Sequence, residues 1–229
     1  LKLLALDTAT EICSVALLLP EGLVVRELPP GPQHSAHILS MVEAVLAEGA
    51  IRLGELDCIA FGRGPGGFTG VRLAASVTQG LAFGAGLKVL PVSDLQAVAQ
   101  QVFDDEPGVR HVLVCNDARM QEVYWTWTTR GPDGLAVAVG PERVGSPDTV
   151  QLPSELSGPV RAAGRGFAVW PQLAPRLGIA EESVRAQLLP RAREIARLAV
   201  PRWLAGHAVG PEQAQPTYLR DDVAKPSRK

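Results

Sequence analysis

The sequence predicts an α/β protein assembled from two halves of similar plan. Short apolar runs alternate with stretches of helical periodicity. The order strand, aspartate, polar turn, strand also occurs twice, at Asp7 and again at Asp117, about half the chain apart. Between the two lies Asp104-Asp105-Glu106-Pro107-Gly108, a charged stretch with a Pro-Gly break that reads as a linker. The expected division is residues 1–105 and 106–229, the C-terminal segment being a candidate to fold back onto the first half.

Each element follows from local chemistry. Residues 3–6 are apolar throughout and stop at Asp7, as a buried strand does. Thr8-Ala9-Thr10-Glu11 makes a polar turn, residues 13–19 a second strand, and Glu21-Gly22 turns into a third at 23–28. Pro29, Pro30 and Pro32 interrupt the chain. Ile38, Met41, Val42, Val45 and Leu46 then recur at helical spacing, with Ser35 placed to cap the helix. A buried strand at 58–61 runs into the glycine-rich loop 62–67. That loop feeds a helix capped at Thr69 and reaching about Phe83. Residues 89–92 are a strand and 94–102 a helix. In the second half, strand 111–115 ends at Asn116-Asp117, and the turn 118–121 leads to strand 122–128. Farther on, a strand at 160–163 enters Gly164-Arg165-Gly166, a helix spans 191–204 after Pro190, and 216–220 is an extended tail.

Composition narrows the function classes. The chain has 229 residues, 46% of them hydrophobic, enough for a sizeable core. A net charge of −2 excludes a protein that grips nucleic acid by its own field, which needs clustered Lys and Arg. Only Arg220, Lys225, Arg228 and Lys229 give the tail a basic lean, as a solvated end does. Cys13, Cys58 and Cys115 lie far apart among apolar residues without a CxxC pair, so buried free thiols are expected. The opening Leu1-Lys2-Leu3-Leu4 turns polar at Asp7, too early for a signal-peptide core, and no run approaches the ~20 apolar residues of a membrane helix. The expectation is a cytoplasmic protein without a membrane partner.

The motifs carry chemistry unevenly. Asp7, Thr8 and Thr10 stand where a phosphate loop places a metal-anchoring carboxylate and hydroxyl donors, though Ala9 sits where small loops prefer glycine. A capped hairpin turn uses the same residues to satisfy backbone groups. The loop Gly64-Pro65-Gly66-Gly67-Phe68-Thr69-Gly70 precedes a helix and so suits an anion. It equally suits a tight turn that brings the helix onto the sheet. It is neither a P-loop, since no Gly-Lys-Ser/Thr follows, nor a dinucleotide fingerprint. Ser76, Gly80 and Gly84 leave one helix face nearly bare, at about 1 kcal/mol per glycine relative to alanine. Close helix packing explains such a stripe, within the domain or against a partner. His34 and His37 lack further metal ligands nearby, and no nucleophile constellation appears.

These residues together resemble the TsaB (YeaZ-type) family. The resemblance rests on the blocks from Leu3 to Leu17 and Ala60 to Gly84, on Asp117-Ala118-Arg119-Met120 with Glu122-Val123-Tyr124-Trp125, and on Gln215-Pro216-Thr217-Tyr218-Leu219-Arg220. It is faint between residues 130 and 189. It implies two actin-like (ASKHA, RNase H-like) domains, the second reduced. It also implies a non-catalytic scaffold in a complex that installs threonylcarbamoyl on the adenosine 3′ of the anticodon, in tRNAs reading codons that begin with A. The implied partners are a larger catalytic paralogue of TsaD type and a small P-loop ATPase of TsaE type. The face of the first two helices is the expected route to a homodimer when the partner is absent, and tRNA is expected to be met only indirectly. No cofactor of its own is implied; ATP or ADP and a metal belong to the partner subunits.

Missing residues agree with that silence. The catalytic paralogue carries metal-binding histidines after the strand that follows its glycine loop, where this chain reads Val92-Ser93-Asp94-Leu95-Gln96-Ala97. The second phosphate loop of actin-like ATPases has glycines after its aspartate, where this chain reads Asp117-Ala118-Arg119. The expected partner face is formed by the first two helices, with Ile38, Met41, Val45, Arg72, Ser76, Gly80 and Gly84. The alternatives are an actin-fold kinase using Asp7 for magnesium and, less favoured by four histidines in all, a metallopeptidase.

Overall fold

The computed structural model describes residues 1–31, 33–153, 156 and 158–220. Pro32 and the tail residues Asp221, Asp222, Lys225, Arg228 and Lys229 lie outside the described residues.

Two five-stranded sheets make the frame. The first has strands β1 (Leu3–Asp7), β2 (Cys13–Leu19), β3 (Gly22–Leu28), β4 (Cys58–Gly62) and β5 (Lys88–Val92), in the order β3-β2-β1-β4-β5. The second has β6 (His111–Asp117), β7 (Val123–Arg130), β8 (Ala136–Gly145), β9 (Val160–Ala163) and β10 (Val184–Arg185), in the order β10-β9-β6-β7-β8. Counted from its own first strand, each sheet has the same arrangement. An antiparallel hairpin lies on one side of the central strand and a parallel strand on the other. The duplicated order read from the two aspartates is thus present, as two copies of the plan that the family resemblance implies.

Among the described residues, six α-helices accompany the sheets: α1 (His34–Glu48), α2 (Phe68–Ala85), α3 (Asp94–Asp105), the single turns α4 (Gly166–Val169) and α5 (Leu173–Arg176), and α6 (Ala192–Leu204). The central strand β1 is buried on both faces, as its uninterrupted apolar run requires. Successive side chains alternate sides. Leu3 and Ala5 join the core between the two sheets, while Leu4 and Leu6 join the core under α1 and α2.

The long helices are exchanged between the halves. α3, last of the first half in sequence, packs on β6, β7 and β8, whereas α6 packs on β1, β2, β4 and β5. One continuous apolar core consequently runs through both sheets, from Leu3 and Leu90 to Val112, Ala163 and Ile195. The stretch read as a linker is tied down accordingly. α3 runs to Asp105, and the Glu106 carboxylate pairs with Arg161 at 2.7 Å and Arg185 at 2.6 Å.

Several boundaries move. α1 starts at His34 after Gln33 rather than behind a Ser35 cap, and α2 starts at Phe68 after Gly67 rather than at Thr69. α2 closes on Gly86 at φ 68°, a left-handed C-terminal stop that glycine adopts freely. β8 has no counterpart in the sequence reading. It is an edge strand whose outer residues are exposed and whose middle carries Gly140 and Pro141. The three cysteines are free and buried. Burial pushes the Cys13 thiol up to about 11 and the Cys58 thiol up to about 12. No described helix is long and apolar enough to cross a membrane.

Candidate functional site

The ends of β1 and β6 point toward one another across an open cleft of about 1040 Å³ between the two halves. Each strand ends in the same small structure. Asp7 Oδ1 accepts the N–H of Ala9 at 2.7 Å, and Asp117 Oδ1 accepts the N–H of Arg119 at 2.8 Å. Such aspartate turns hold the backbone in a tight reversal.

The two aspartates then differ. Asp117 lines the cleft and pairs with Arg119 at 3.1 Å. Asp7 is fully buried and is not among the cleft-lining residues. Its carboxyl lies beside that of Asp94, at the first turn of α3, and Asp94 Oδ2 accepts the N–H of Gly64. Burial pushes the Asp7 carboxyl up to about 7; burial and the charge of Asp7 push Asp94 well above the ordinary range. Asp7 Oδ2 and Asp94 Oδ1 have no hydrogen-bond partner among the described residues, which fits carboxyls that burial keeps from ionising. Gly62 leaves room for the pair, since a Cβ there would come within 2.8 Å of Asp7 Oδ1.

Thr8 and Thr10 do line the cleft. The Thr8 hydroxyl is spent on the carbonyl of Gly70, at 2.7 Å. The glycine loop is used up in the same way. Gly67 N–H donates to Ala9 O at 2.7 Å, and a Cβ on Gly66 would lie 2.6 Å from that oxygen. Its glycines thus let the start of α2 press on the backbone of the Thr8-Ala9 turn. Across the cleft, Arg119, Met120 and Gln121 follow one another at φ 59°, 53° and 63°. Three successive non-glycine residues in this region are strained, and nothing in the composition of the segment signals it.

The second feature is the outer face of α1 and α2. Of the residues expected there, Ile38, Met41 and Val45 point the other way. They are buried under α1 with Leu4, Leu6 and Val15, and Cys13 Sγ lies 3.7 Å from Met41 Sδ. The apolar stripe of an amphipathic helix covers its own sheet. Ser76, Gly80 and Gly84 are exposed. A Cβ on Gly80 or Gly84 would meet nothing within 4 Å, so packing inside the domain does not explain these glycines. Leu39 on α1 and Phe68 and Phe83 on α2 are exposed as well, at 52%, 64% and 83%. Arg72 places its guanidinium 3.3 Å above the Phe68 ring and 4.8 Å from the Tyr218 ring. Arg72 therefore sits where the helix face meets the cleft, which it also lines. His34, also at the cleft, is 3.1 Å from Glu11 O through Nε2, with His37 one turn along α1.

Comparison with known proteins agrees with this architecture. A family model described as TsaD, tRNA N6-adenosine threonylcarbamoyltransferase, matches residues 30–156. The tRNA threonylcarbamoyladenosine biosynthesis protein TsaB of Escherichia coli K12 is 38% identical over 226 residues, covering 98% of this chain and 96% of that relative. The protein of the same name from Haemophilus influenzae is 37% identical, covering 97% and 95%. The solved structure of YeaZ from Pseudomonas aeruginosa superposes with a TM-score of 0.87 at 40% identity, covering 95% of this chain and 99% of that one. Identity at this level over nearly the whole of both chains leaves one reading of the shared frame: this chain belongs to the TsaB (YeaZ) family.

Proposed function

We propose that the chain acts in tRNA threonylcarbamoyladenosine biosynthesis as a non-catalytic scaffold or activator. In this reading it docks through the outer face of α1 and α2 onto a TsaD-type catalytic paralogue, with a TsaE-type P-loop ATPase in the same complex. The observation that carries the silence is the position of Asp7. A carboxylate that anchors hydrated magnesium must face the nucleotide, whereas this one is buried beside Asp94, is held up to about 7 by burial and accepts the Ala9 N–H. The kinase alternative loses its metal anchor with it. Nucleotide and metal chemistry accordingly fall to the partner subunits.

Support for docking comes from α2. Gly80 and Gly84 lower helix propensity, and among the described residues nothing lies within 4 Å of where their side chains would stand. A helix laid over them would approach at backbone distance, with Leu39 and Phe83 available as apolar contacts. The test is reconstitution of tRNA modification from the catalytic paralogue and the ATPase, with and without this chain. Modification needs the chain, and Gly80→Leu abolishes it while the variant folds normally. Full modification in the absence of the chain would overturn the proposal, as would ATP hydrolysis by the chain alone that disappears in Asp7→Ala.

A further inference from the structure

After α6 the chain returns to the first sheet. Val209 pairs with Val89 through two hydrogen bonds of 2.9 Å, and Ala214 is buried in the core under α2. The next six residues then leave that sheet and reach the other half. Thr217 donates its N–H to Arg63 O at 2.7 Å, and its hydroxyl accepts from Arg63 Nη1 at 2.7 Å. Arg63 is itself held by Glu142 of β8 at 3.0 Å. Gly64, at φ 95°, lets the Thr217 carbonyl lie against it, 3.4 Å from where a Cβ would stand. The Tyr218 ring packs on Arg72 of α2.

Arg220 completes the crossing. Its Nη2 donates to Ala118 O at 3.2 Å and pairs with the Glu122 carboxylate, and its Nη1 lies 3.4 Å from Met120 Sδ. Ala118 and Glu122 bracket the left-handed run of Arg119, Met120 and Gln121, closed by the Ala118 N–H on Glu122 O at 3.0 Å. Thr217, Tyr218, Leu219 and Arg220 all line the cleft. One short segment therefore touches the end of the α1–α2 face with Tyr218 and clamps the strained turn at the cleft mouth with Arg220.

We propose that residues 215–220 form a latch that couples the α1–α2 face to the interdomain cleft. A partner helix covering the face around Phe68 and Arg72 displaces Tyr218. Arg220 then loses its fixed approach to Ala118 and Glu122, and the turn 118–122 relaxes out of its left-handed backbone. The trigger rests on the docking reading of that face; the coupling between Tyr218 and the turn belongs to the chain alone. A strained segment held from outside by a few side chains is the kind of element that two sites can both bias.

Amide hydrogen exchange on the full chain separates the two parts. Tyr218 makes no contact with the turn among those described above, yet Tyr218→Ala is expected to speed exchange at residues 118–122 roughly tenfold, with β6 unchanged. Tyr218→Phe, which keeps the ring, leaves the turn as it was. Glu122→Gln loosens the same turn without touching α2. Unchanged exchange at 118–122 in Tyr218→Ala overturns the coupling. Mixing wild-type chain with the catalytic paralogue is expected to speed exchange at the turn by a similar factor. A complex that forms with the turn unaffected overturns the latch. Absence of any complex overturns the docking reading and with it the trigger, and the Tyr218→Ala comparison still decides the coupling.

Discussion

Asp7 and Asp94 lie side by side in the interior, one at the end of β1 and the other at the start of α3, both against Gly62 and both pushed above the ordinary carboxyl range by burial. The pair fixes two backbone turns at once, through Ala9 N–H on one side and Gly64 N–H on the other. It joins the first aspartate turn to the glycine loop.

This pair predicts how stability depends on pH. Unfolded, both carboxyls ionise near 3.8, whereas burial in the fold raises Asp7 to about 7 and Asp94 well above its ordinary value. Between about pH 4 and 7 the folded chain therefore binds more protons than the unfolded one, and this contribution to stability is lost as pH rises through the folded value. Asp7→Asn keeps an oxygen for the Ala9 N–H and offers Asp94 a donor that does not ionise. Its melting temperature is expected to match wild type near pH 5 and to exceed it by several degrees near pH 8. A variant less stable than wild type at the higher pH would contradict the raised Asp7 carboxyl.

Glycines with different surroundings should respond in opposite directions. Gly80→Ala meets open space, and alanine is the better helix former, so the fold is expected to gain up to about 1 kcal/mol in urea denaturation. Gly66→Ala drives a methyl toward Ala9 O, 2.6 Å away, and should cost about 1–3 kcal/mol. Equal effects at the two sites would refute the assignment of one to docking and the other to folding.

Ile38 lies in the core under α1 rather than on the partner face. Ile38→Ala is expected to cost about 2–5 kcal/mol, as buried aliphatic truncations do. Binding to the catalytic paralogue should fall only as far as the folded fraction falls. Phe83→Ala should do the reverse, leaving the melting temperature within about two degrees of wild type and weakening the complex. Titration of each variant with the paralogue at a temperature where both are folded tells them apart.

Arg63 joins Glu142 of the second sheet to Thr217 of the C-terminal segment. Its side chain is largely covered, so Arg63→Ala leaves Glu142 without its cation and should cost about 2–4 kcal/mol. Arg26→Ala breaks an exposed pair with Glu48 and should change stability by less than about 1 kcal/mol. Thermal melts of the two variants in low and moderate salt check the contrast.

The sequence by itself determined the elements whose signal is local. Apolar runs ending at Asp7 and Asp117 located the two hairpins, and periodicity located α1, α2, α3 and α6 within a few residues. A strand end and a helix period depend only on neighbours along the chain, and so can be read there. Edge strand β8 escaped because its outer face is solvated and a Gly-Pro step interrupts its alternation. The tertiary structure decided everything that depends on which surfaces meet. It turned Ile38, Met41 and Val45 inward and left Gly80 and Gly84 open to solvent, because the first sheet offers α1 an apolar floor and gives the outer side of α2 no cover. It set Asp94 against Asp7, a contact between residues far apart in the chain whose effect is to desolvate a carboxylate. Burial and charge pairing are properties of the assembled interior, and they moved the first half's aspartate out of the cleft while leaving Asp117 in it.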